Sequence, residues 1–489
     1  MSDQPPALPL GDLSPDDFRA AGHQLVEWIA RYLETDHHPV LSQNTPGDIV
    51  RALPTQAPTR PESFDQVMAD FERVLVPGLT HWNTPDFYAY FSISATGPGV
   101  LADFLSSALN QQAMLWRTSP AATELEEVTL NWLRDLMGLP DTFEGVIYDT
   151  ASISTLHALA AAREMKVPQV RTQGLSGRAD VPRVRVYCSK ETHSSIDKAA
   201  ILLGLGHDAV RHIDVDADFR MKPDALEAAI EEDLRAGLLP IAVVPTVGTT
   251  STTSIDPVDR IADIAEKYDL WLHVDGAYAG VLSIVPELSW ISVAWPRAHS
   301  IVVNPHKSLF IPFDLSVLYC RRMDLLRSAF TLIPDYLQTT DASHVRNLMD
   351  TGVQLGRRFR ALKLWMVFRM FGVDGLRARL VEPLRLARLF ASWVDAHPRF
   401  ERVAPVPLGV VCFRALPLNP DNLPTDTFNE RLLERLNASG RLFLSQTRLE
   451  GRYVLRLAIG HVRTTEAHIL RAWELMQSEV LTLDGHLSA

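Results

Sequence analysis

The sequence predicts an α/β protein whose mostly parallel sheet is covered by helices on both faces. In the middle of the 489-residue chain, short apolar β-rich runs alternate with helical segments. Strands that are buried on both faces have this continuous apolar character. The predicted strands are 145–148, 184–188, 241–246, 270–274, 300–303 and 316–320. The helical segments between them include 153–165, 194–203, 223–236 and 257–268.

Three parts of the chain differ in character. Residues 1–87 form a helical segment that begins at a Ser14-Pro15 cap and offers little core of its own, so we expect it to pack on another domain or on a partner subunit. Residues 88–382 form the large α/β domain. Residues 383–489 form a small α+β domain with strand-like runs at 410–414 and 453–459.

Composition limits the classes of function. Hydrophobic residues make up 46% of the chain, charged residues 22%, and the formal net charge is −12 without a block of like charges. This balance disfavours a nucleic-acid or anionic-membrane partner. Three scattered cysteines and an N-terminus without the regions of a signal peptide predict a cytoplasmic protein with reduced thiols. No spacing of residues predicts a metal site.

The stretch Asn304-Pro305-His306-Lys307 follows the apolar run 301–303 and precedes further apolar residues. A lysine enclosed in this way either extends its amine to solvent or gives up its charge. A desolvated lysine amine forms a Schiff base readily with an aldehyde. This stretch alone leaves both possibilities open.

Three other strand ends also finish in polar residues. Asp149-Thr150-Ala151-Ser152 opens a helix, as a phosphate-binding turn or a simple helix cap would. Asp275 ends a buried strand, where it either forms a salt bridge or holds a proton on a ring nitrogen. A hydroxyl-rich turn covers 246–250. Because ligands bind beyond the carboxyl ends of parallel strands, these groups and Lys307 together predict a pyridoxal-phosphate site.

Ordered motifs over nearly the whole chain support this prediction. With them, the sequence resembles the group II pyridoxal-phosphate-dependent amino-acid decarboxylases, and within these the aromatic-L-amino-acid decarboxylase branch. The resemblance implies a fold type I architecture and a homodimer whose active sites lie at the interface. The motifs lie at 80–85, 119–126, 150–152, 193–195, 248–250, 273–280, 304–307 and 356–360.

The resemblance also implies a role for individual residues. Lys307 forms the Schiff base, Asp275 pairs with the pyridinium nitrogen, and His193 stacks on the ring. Tyr336, on a loop matching 330–340, protonates the α-carbon and completes the expected catalytic set. The other expected cofactor contacts are Thr150, Ala151, Ser152, Thr246, Ala277, Asn304 and His306.

The substrate pocket departs from the family pattern, although the cofactor residues are intact. Ile93 replaces a threonine of the animal enzymes, Ser308 a tryptophan and Asp149 a glycine. Gly356 matches a glycine that plant members use for indolic substrates. Arg456 is expected to form a structural salt bridge, and Arg357-Arg358 to lie on a helix at the subunit interface. The expected pocket residues are Trp82, Ile93, Met114 and Gly356.

The predicted function is decarboxylation of an L-amino acid to the amine and carbon dioxide, and an aromatic amino acid is the expected substrate. An aromatic aldehyde synthase is one alternative, although His193 and Tyr336 favour simple decarboxylation. A decarboxylase of a non-aromatic amino acid is a second alternative. A third alternative is a catalytically silent protein that binds the cofactor and serves as a partner.

Overall fold

A computed structural model describes residues 11–332, 345–421 and 423–487. Its larger sheet has seven strands, and its smaller sheet has four. The larger sheet contains β1 (Glu144–Tyr148), β2 (Val184–Ser189), β3 (Val210–Ile213), β4 (Leu239–Val244), β5 (Trp271–Gly276), β6 (Ser300–Val303) and β7 (Ser316–Cys320). The smaller sheet contains β8 (Phe400–Arg402), β9 (Val410–Ala415), β10 (Ser445–Leu449) and β11 (Arg452–Ala458).

Fifteen α-helices surround these sheets in the described residues. In chain order they are α1 (Pro15–Glu34), α2 (Asp48–Ala52), α3 (Phe64–Asp70), α4 (Gly97–Leu109), α5 (Pro120–Leu136), α6 (Ala151–Lys166), α7 (Val170–Gln173), α8 (Ser195–Leu202), α9 (Pro223–Arg235), α10 (Val258–Lys267), α11 (Pro305–Ser308), α12 (Met323–Phe330), α13 (Ala361–Ala396), α14 (Thr425–Ala438) and α15 (Glu466–Leu487). None of these helices combines the length and the apolar composition needed to cross a bilayer.

The order of the larger sheet is β1-β7-β6-β5-β4-β2-β3. All neighbours between β6 and β3 are parallel, and only β7 runs against β1 and β6. The prediction of a mostly parallel sheet is therefore confirmed. The sequence analysis missed β3, because its polar Arg211 and His212 interrupt the apolar run that marks the other strands.

Successive residues of the strands enter two different cores. Ile147, Val243 and Val317 join the core that includes α5, α9, α10 and α13. Their neighbours Val146 and Val244 join the core that includes α6, α8 and α12. This alternation follows from the two-residue period of a strand, so helices cover both faces of the sheet.

A buried ion pair connects α5, β1 and the chain that enters α13. Glu126 and Arg357 lie 2.7 Å apart and are 2% and 8% exposed. Glu126 also accepts a hydrogen bond from the backbone N–H of Ile147 at 2.8 Å. The expectation that Arg357 lies on an interface helix is therefore wrong, since it precedes α13 and its charge is neutralised inside the chain.

The N-terminal helices bury no residue against their own chain. Ser14 caps α1 by accepting a hydrogen bond from the backbone N–H of Asp17, as the sequence predicts. However, α1, α2 and α3 contain no buried residue, and Phe18 and Val26 are exposed. An amphipathic helix normally covers its apolar stripe, but these helices leave apolar side chains exposed in the single chain.

The smaller sheet packs against α14, α15 and the second half of α13. Its core includes Phe390, Phe413 and Trp473. Helix α13 is broken at Gly372, where φ is 65°, and then continues through Pro383 to Ala396. A helix thus joins the two sheets across the predicted boundary at 382 and 383, and the division into three domains stays a prediction.

Candidate active site

Turns at the carboxyl ends of β1, β2, β4, β5 and β6 surround one cavity of about 190 Å³. Every residue that the sequence analysis expected to contact the cofactor lines this cavity. The resemblance thus identified residues that the fold brings together across more than 150 positions of sequence. The described lining residues are Phe91, Thr150, Ala151, Ser152, His193, Ser195, Thr246, Gly248, Thr250, Asp275, Ala277, Tyr278, Asn304, His306, Lys307 and Phe313.

Lys307 lies in α11, directly after β6. Its Nζ atom is 5.2 Å from the centre of the Phe91 ring. Burial lowers the pKa of Lys307, the Asp275 carboxylate partly raises it, and the Arg456 guanidinium lowers it further. The amine therefore loses its proton more easily than an exposed lysine does, as a nucleophile that attacks an aldehyde requires.

Asp275 lies near the end of β5 and is 4% exposed. Its Oδ1 accepts a hydrogen bond from the backbone N–H of Ala277 at 3.0 Å. Its own backbone N–H donates to Pro245 O at 2.9 Å, which fixes β5 against the turn after β4. A carboxylate held this firmly in a buried cavity needs a positive or proton-bearing partner there.

The turn between β1 and α6 presents the start of a helix to the cavity. Ala151 and Ser152 are the first two residues of α6, and the Thr150 side chain makes no capping bond to the helix. The first backbone N–H groups of a helix lack intrahelical partners and bind anions well. The Oδ1 atom of Asn304 is buried without a hydrogen-bond partner among the described residues, as expected of a side chain that meets a bound molecule.

His306 lines the same cavity as a neutral donor. Its Nδ1 accepts a hydrogen bond from the backbone N–H of Leu315 at 2.9 Å, so its ring proton is on Nε2. Burial is the main cause that lowers its pKa to about 3. Hydroxyls, unpaired N–H groups and a neutral imidazole therefore suit a phosphate, and Lys307 and Asp275 suit the ring that carries it. The residues present fit pyridoxal phosphate.

His193 lies at the mouth of the cavity, where its side chain remains exposed. Its Nδ1 accepts a hydrogen bond from the backbone N–H of Ser195 at 3.1 Å, which fixes the ring orientation. Loss of solvation lowers the pKa of His193, Asp275 partly opposes this, and Lys307 lowers the pKa further. The imidazole of His193 therefore has a fixed orientation and favours the neutral form, as packing on a flat ligand requires.

Asp256 is a structural residue of the site that the sequence analysis missed. It is 1% exposed and accepts hydrogen bonds from the backbone N–H groups of Thr246, at 2.8 Å, and Met221, at 2.7 Å. Burial raises its pKa to about 7. Its position after the hydroxyl-rich turn was a signal that could have identified it. Asp256 fixes Thr246, whose hydroxyl lies 3.2 Å from that of Thr192.

An aromatic pair forms another wall of the cavity that sequence patterns did not reveal. The rings of Phe91 and Tyr278 stack with centres 3.8 Å apart and planes 13° apart. Arg456 lies 4.9 Å from the centre of the Phe91 ring. Its Nη1 donates to Ala89 O at 2.9 Å and its Nε to Ser251 O at 3.2 Å. No carboxylate of the described residues pairs with it, so the expected salt bridge is wrong.

The expected substrate-pocket residues do not line the cavity within the described part of the chain. Trp82 stacks on Phe87, Met114 packs beside Leu115 and Met349, and Gly356 is exposed. Ile93 is partly buried and also outside the lining set. Their roles stay predictions. Tyr336 lies outside the described residues.

Comparisons with known proteins agree with this site. Residues 46–416 match the family described as the pyridoxal-dependent decarboxylase conserved domain. The chain is 37% identical over 481 residues to phenylacetaldehyde synthase of Arabidopsis thaliana, covering 96% of this chain and 97% of that protein. It is 38% identical over 475 residues to aromatic-L-amino-acid decarboxylase of Sus scrofa, covering 94% and 96%.

Two solved structures are similar over nearly their whole length. The Oryza sativa TDC with PLP and tryptamine has a TM-score of 0.92 and 35% identity, covering 97% of this chain and 100% of that chain. The Catharanthus roseus tryptophan decarboxylase in complex with L-tryptophan has a TM-score of 0.91 with the same identity and coverage. The fold type I architecture expected from the resemblance is confirmed.

Proposed function

Because the chain belongs to the pyridoxal-dependent decarboxylase family, we propose that it converts an aromatic L-amino acid to the corresponding amine and carbon dioxide. Its cofactor is pyridoxal phosphate. The observation that carries the proposal is the meeting of Lys307, Asp275 and the α6 turn in one cavity. Support for aromatic substrates comes from relatives and structures named for tryptophan, tryptamine and aromatic amino acids.

The chain's own groups divide the work of binding and chemistry. When bound, pyridoxal phosphate supplies the electron sink for the electron pair that remains after carbon dioxide leaves. The turn Thr150–Ser152, His306 and Asn304 would hold the phosphate, and Asp275 would keep the ring nitrogen protonated. Lys307 would hold the cofactor covalently through its amine until a substrate amine replaces it.

His193 and Ala277 would enclose the cofactor ring from opposite faces, and Thr246 would lie near its oxygen substituent. This enclosure would exclude water from the reacting carbon and fix the ring while the carboxylate leaves. The product also needs a proton at the α-carbon. We assign that step to Tyr336 on the resemblance of the loop that carries it.

An aldehyde synthase is the second candidate, because the chain is 37% identical to phenylacetaldehyde synthase. Aldehyde-forming members of the family tend to lack the residue that matches Tyr336 or the one that matches His193. Both are present here, which favours the amine as product. A decarboxylase of another amino-acid class and a silent cofactor-binding protein remain the third and fourth hypotheses.

We propose that the working protein is a homodimer with shared active sites. The helices α1, α2 and α3, which bury no residue, leave apolar side chains for a second copy to cover. The expected substrate residues lie outside the single-chain cavity, as they would if an interface completed the pocket. The described cysteines, Cys188, Cys320 and Cys412, are free and buried, which supports a reducing, cytoplasmic location.

A panel of aromatic and other common amino acids tests the proposal, with carbon dioxide, amine, aldehyde and ammonia measured together. We expect equal amounts of carbon dioxide and amine from at least one aromatic substrate. Aldehyde with ammonia in place of the amine would establish the synthase, and turnover of non-aromatic substrates alone would reject the substrate class. Lys307→Ala is the control, since it should retain the fold and lose turnover.

A further inference from the structure

A carboxylate lies at the turn that would hold the cofactor's phosphate. Asp149 connects β1 to Thr150 at the start of α6 and is partly buried. Its Oδ1 accepts hydrogen bonds from the Thr150 backbone N–H at 2.6 Å and from the Thr150 hydroxyl at 3.1 Å. One carboxylate oxygen of Asp149 therefore accepts hydrogen bonds from both donors of Thr150, which lines the cavity.

The contact lies at the start of a helix that has no side-chain cap. Thr150 occupies the N-cap position of α6 but makes no side-chain bond to the helix. A negative group beside a helix N-terminus is favourable, because the exposed N–H groups carry partial positive charge. Asp149 supplies this charge and holds the Thr150 hydroxyl in one orientation.

The same carboxylate opposes a phosphate. A phosphate monoester carries between one and two negative charges near neutral pH. Among the described lining residues, Lys307 is the only lysine or arginine, and its amine would be taken up by the bond to the cofactor's aldehyde. His306 is neutral because burial lowers its pKa to about 3. Within the described lining, the turn therefore has no cation that offsets Asp149.

We propose that Asp149 stands in for the phosphate in the cofactor-free protein, stabilising the start of α6 and weakening the affinity for pyridoxal phosphate. When the phosphate binds, the Thr150 hydroxyl turns from Asp149 toward it, and two negative groups are brought close. The residue thus sets how readily cofactor is exchanged. The inference rests on the proposed role of the Thr150–Ser152 turn.

Two variants separate charge from hydrogen bonding. Asp149→Asn removes the charge and keeps an oxygen that can accept from Thr150, whereas Asp149→Ala removes both. Asp141→Asn is the matched control, since Asp141 is an exposed acid before the opposite end of β1. Equilibrium titration of each cofactor-free protein with pyridoxal phosphate gives the dissociation constant. Thermal unfolding of the cofactor-free proteins, with and without inorganic phosphate, gives a second measure.

We expect Asp149→Asn to bind pyridoxal phosphate about tenfold more tightly than the wild type, the scale of repulsion between a phosphate and a screened carboxylate a few ångströms away. Asp149→Ala should bind at least as tightly, while its cofactor-free form unfolds at a lower temperature. Inorganic phosphate should stabilise both variants at lower concentrations than it stabilises the wild type. The Asp141→Asn control should match the wild type in every measurement.

Unchanged or weaker affinity for pyridoxal phosphate in both variants would overturn the inference. Tighter binding in Asp149→Ala but not in Asp149→Asn would also overturn it, because the charge of Asp149 would then not be what weakens the affinity. Ser152→Ala keeps this failure distinct from a failure of the proposed site. Weaker cofactor binding in Ser152→Ala with unchanged Asp149 variants would reject only the role of Asp149. Unchanged binding in Ser152→Ala would reject the Ser152 hydroxyl as a phosphate contact, which is a failure of the proposed site and not of Asp149.

Discussion

Glu126→Gln should destabilise the protein strongly although it changes few atoms. The carboxylate of Glu126 neutralises the guanidinium of Arg357 inside the chain, at 2.7 Å, and both side chains are buried. The same Oε1 atom accepts the backbone N–H of Ile147, two residues before the turn that leads into α6. The substitution removes the charge but keeps an oxygen for Ile147.

The magnitude follows from what Arg357 retains. Its Nη2 still donates to Ile147 O at 2.8 Å and its Nη1 to Ala113 O at 3.3 Å, so the guanidinium keeps neutral acceptors but no counter-charge. Leaving a buried charge unpaired costs about 3–5 kcal/mol. Because these acceptors remain, we expect a loss near the lower end, about 3 kcal/mol of the free energy of unfolding.

Urea unfolding followed by circular dichroism measures this loss. Glu127→Gln is the matched control, since it changes an exposed neighbour on the same helix and should alter stability little. The double variant Glu126→Gln with Arg357→Met should recover part of the loss, because no buried charge then remains. A loss below about 1 kcal/mol in Glu126→Gln would show that the pair does not brace β1 in the way its burial and geometry indicate.

Three further predictions follow from other parts of the molecule. Lys363→Met should lower the free energy of unfolding by about 2–4 kcal/mol, because the buried amine donates to two backbone carbonyls in residues 312–314, both at 3.0 Å; an unchanged urea midpoint would contradict it. Tyr336→Phe should shift products from amine toward aldehyde, and an unchanged ratio of the two would remove its proposed role. Acidification should destabilise the fold through histidines that burial keeps neutral, each with a pKa of about 3. Below about pH 6.5 the unfolded chain takes up protons on these histidines and the folded chain does not. The free energy of unfolding therefore falls by about 1.4 kcal/mol per histidine for each pH unit. Asp256, with a pKa raised to about 7, opposes this loss below pH 7 by holding one proton in the folded state. Urea midpoints at pH 7, 6 and 5 should fall in that order, and equal midpoints would refute the argument. The histidines are His157, His306 and His461.

The parts of the site that the sequence revealed are those with a local signature. Lys307 and the Thr150–Ser152 turn follow buried strands, Asp275 lies near the end of one, and parallel strands place such ends at one edge. The Phe91–Tyr278 pair was not predicted, because its members stand almost 190 positions apart and neither local sequence indicates that the two rings stack.

Contacts that depend on partners distant in sequence were also unpredictable. The interpretation of Arg456 as a salt-bridged residue assumed a carboxylate, but its hydrogen bonds go to the backbone oxygens of Ala89 and Ser251 and to the Ser445 hydroxyl. The prediction that Arg357 lies on an interface helix was wrong for the opposite reason. A buried glutamate more than 200 positions earlier neutralises the Arg357 guanidinium. Charge patterns alone do not distinguish these cases.

The strand order sets when the site can form during folding. β1 leads to the turn proposed to hold the phosphate and β6 leads to Lys307, but the two strands meet only through β7, the last strand of the sheet in sequence. A nascent chain that ends before residue 316 therefore contains all four predicted binding motifs without the strand that brings them together. Such non-local closure is slow compared with local structure formation. Binding of the cofactor during refolding should accordingly report completion of the whole sheet. No N-terminal fragment that ends before residue 316 should bind the cofactor.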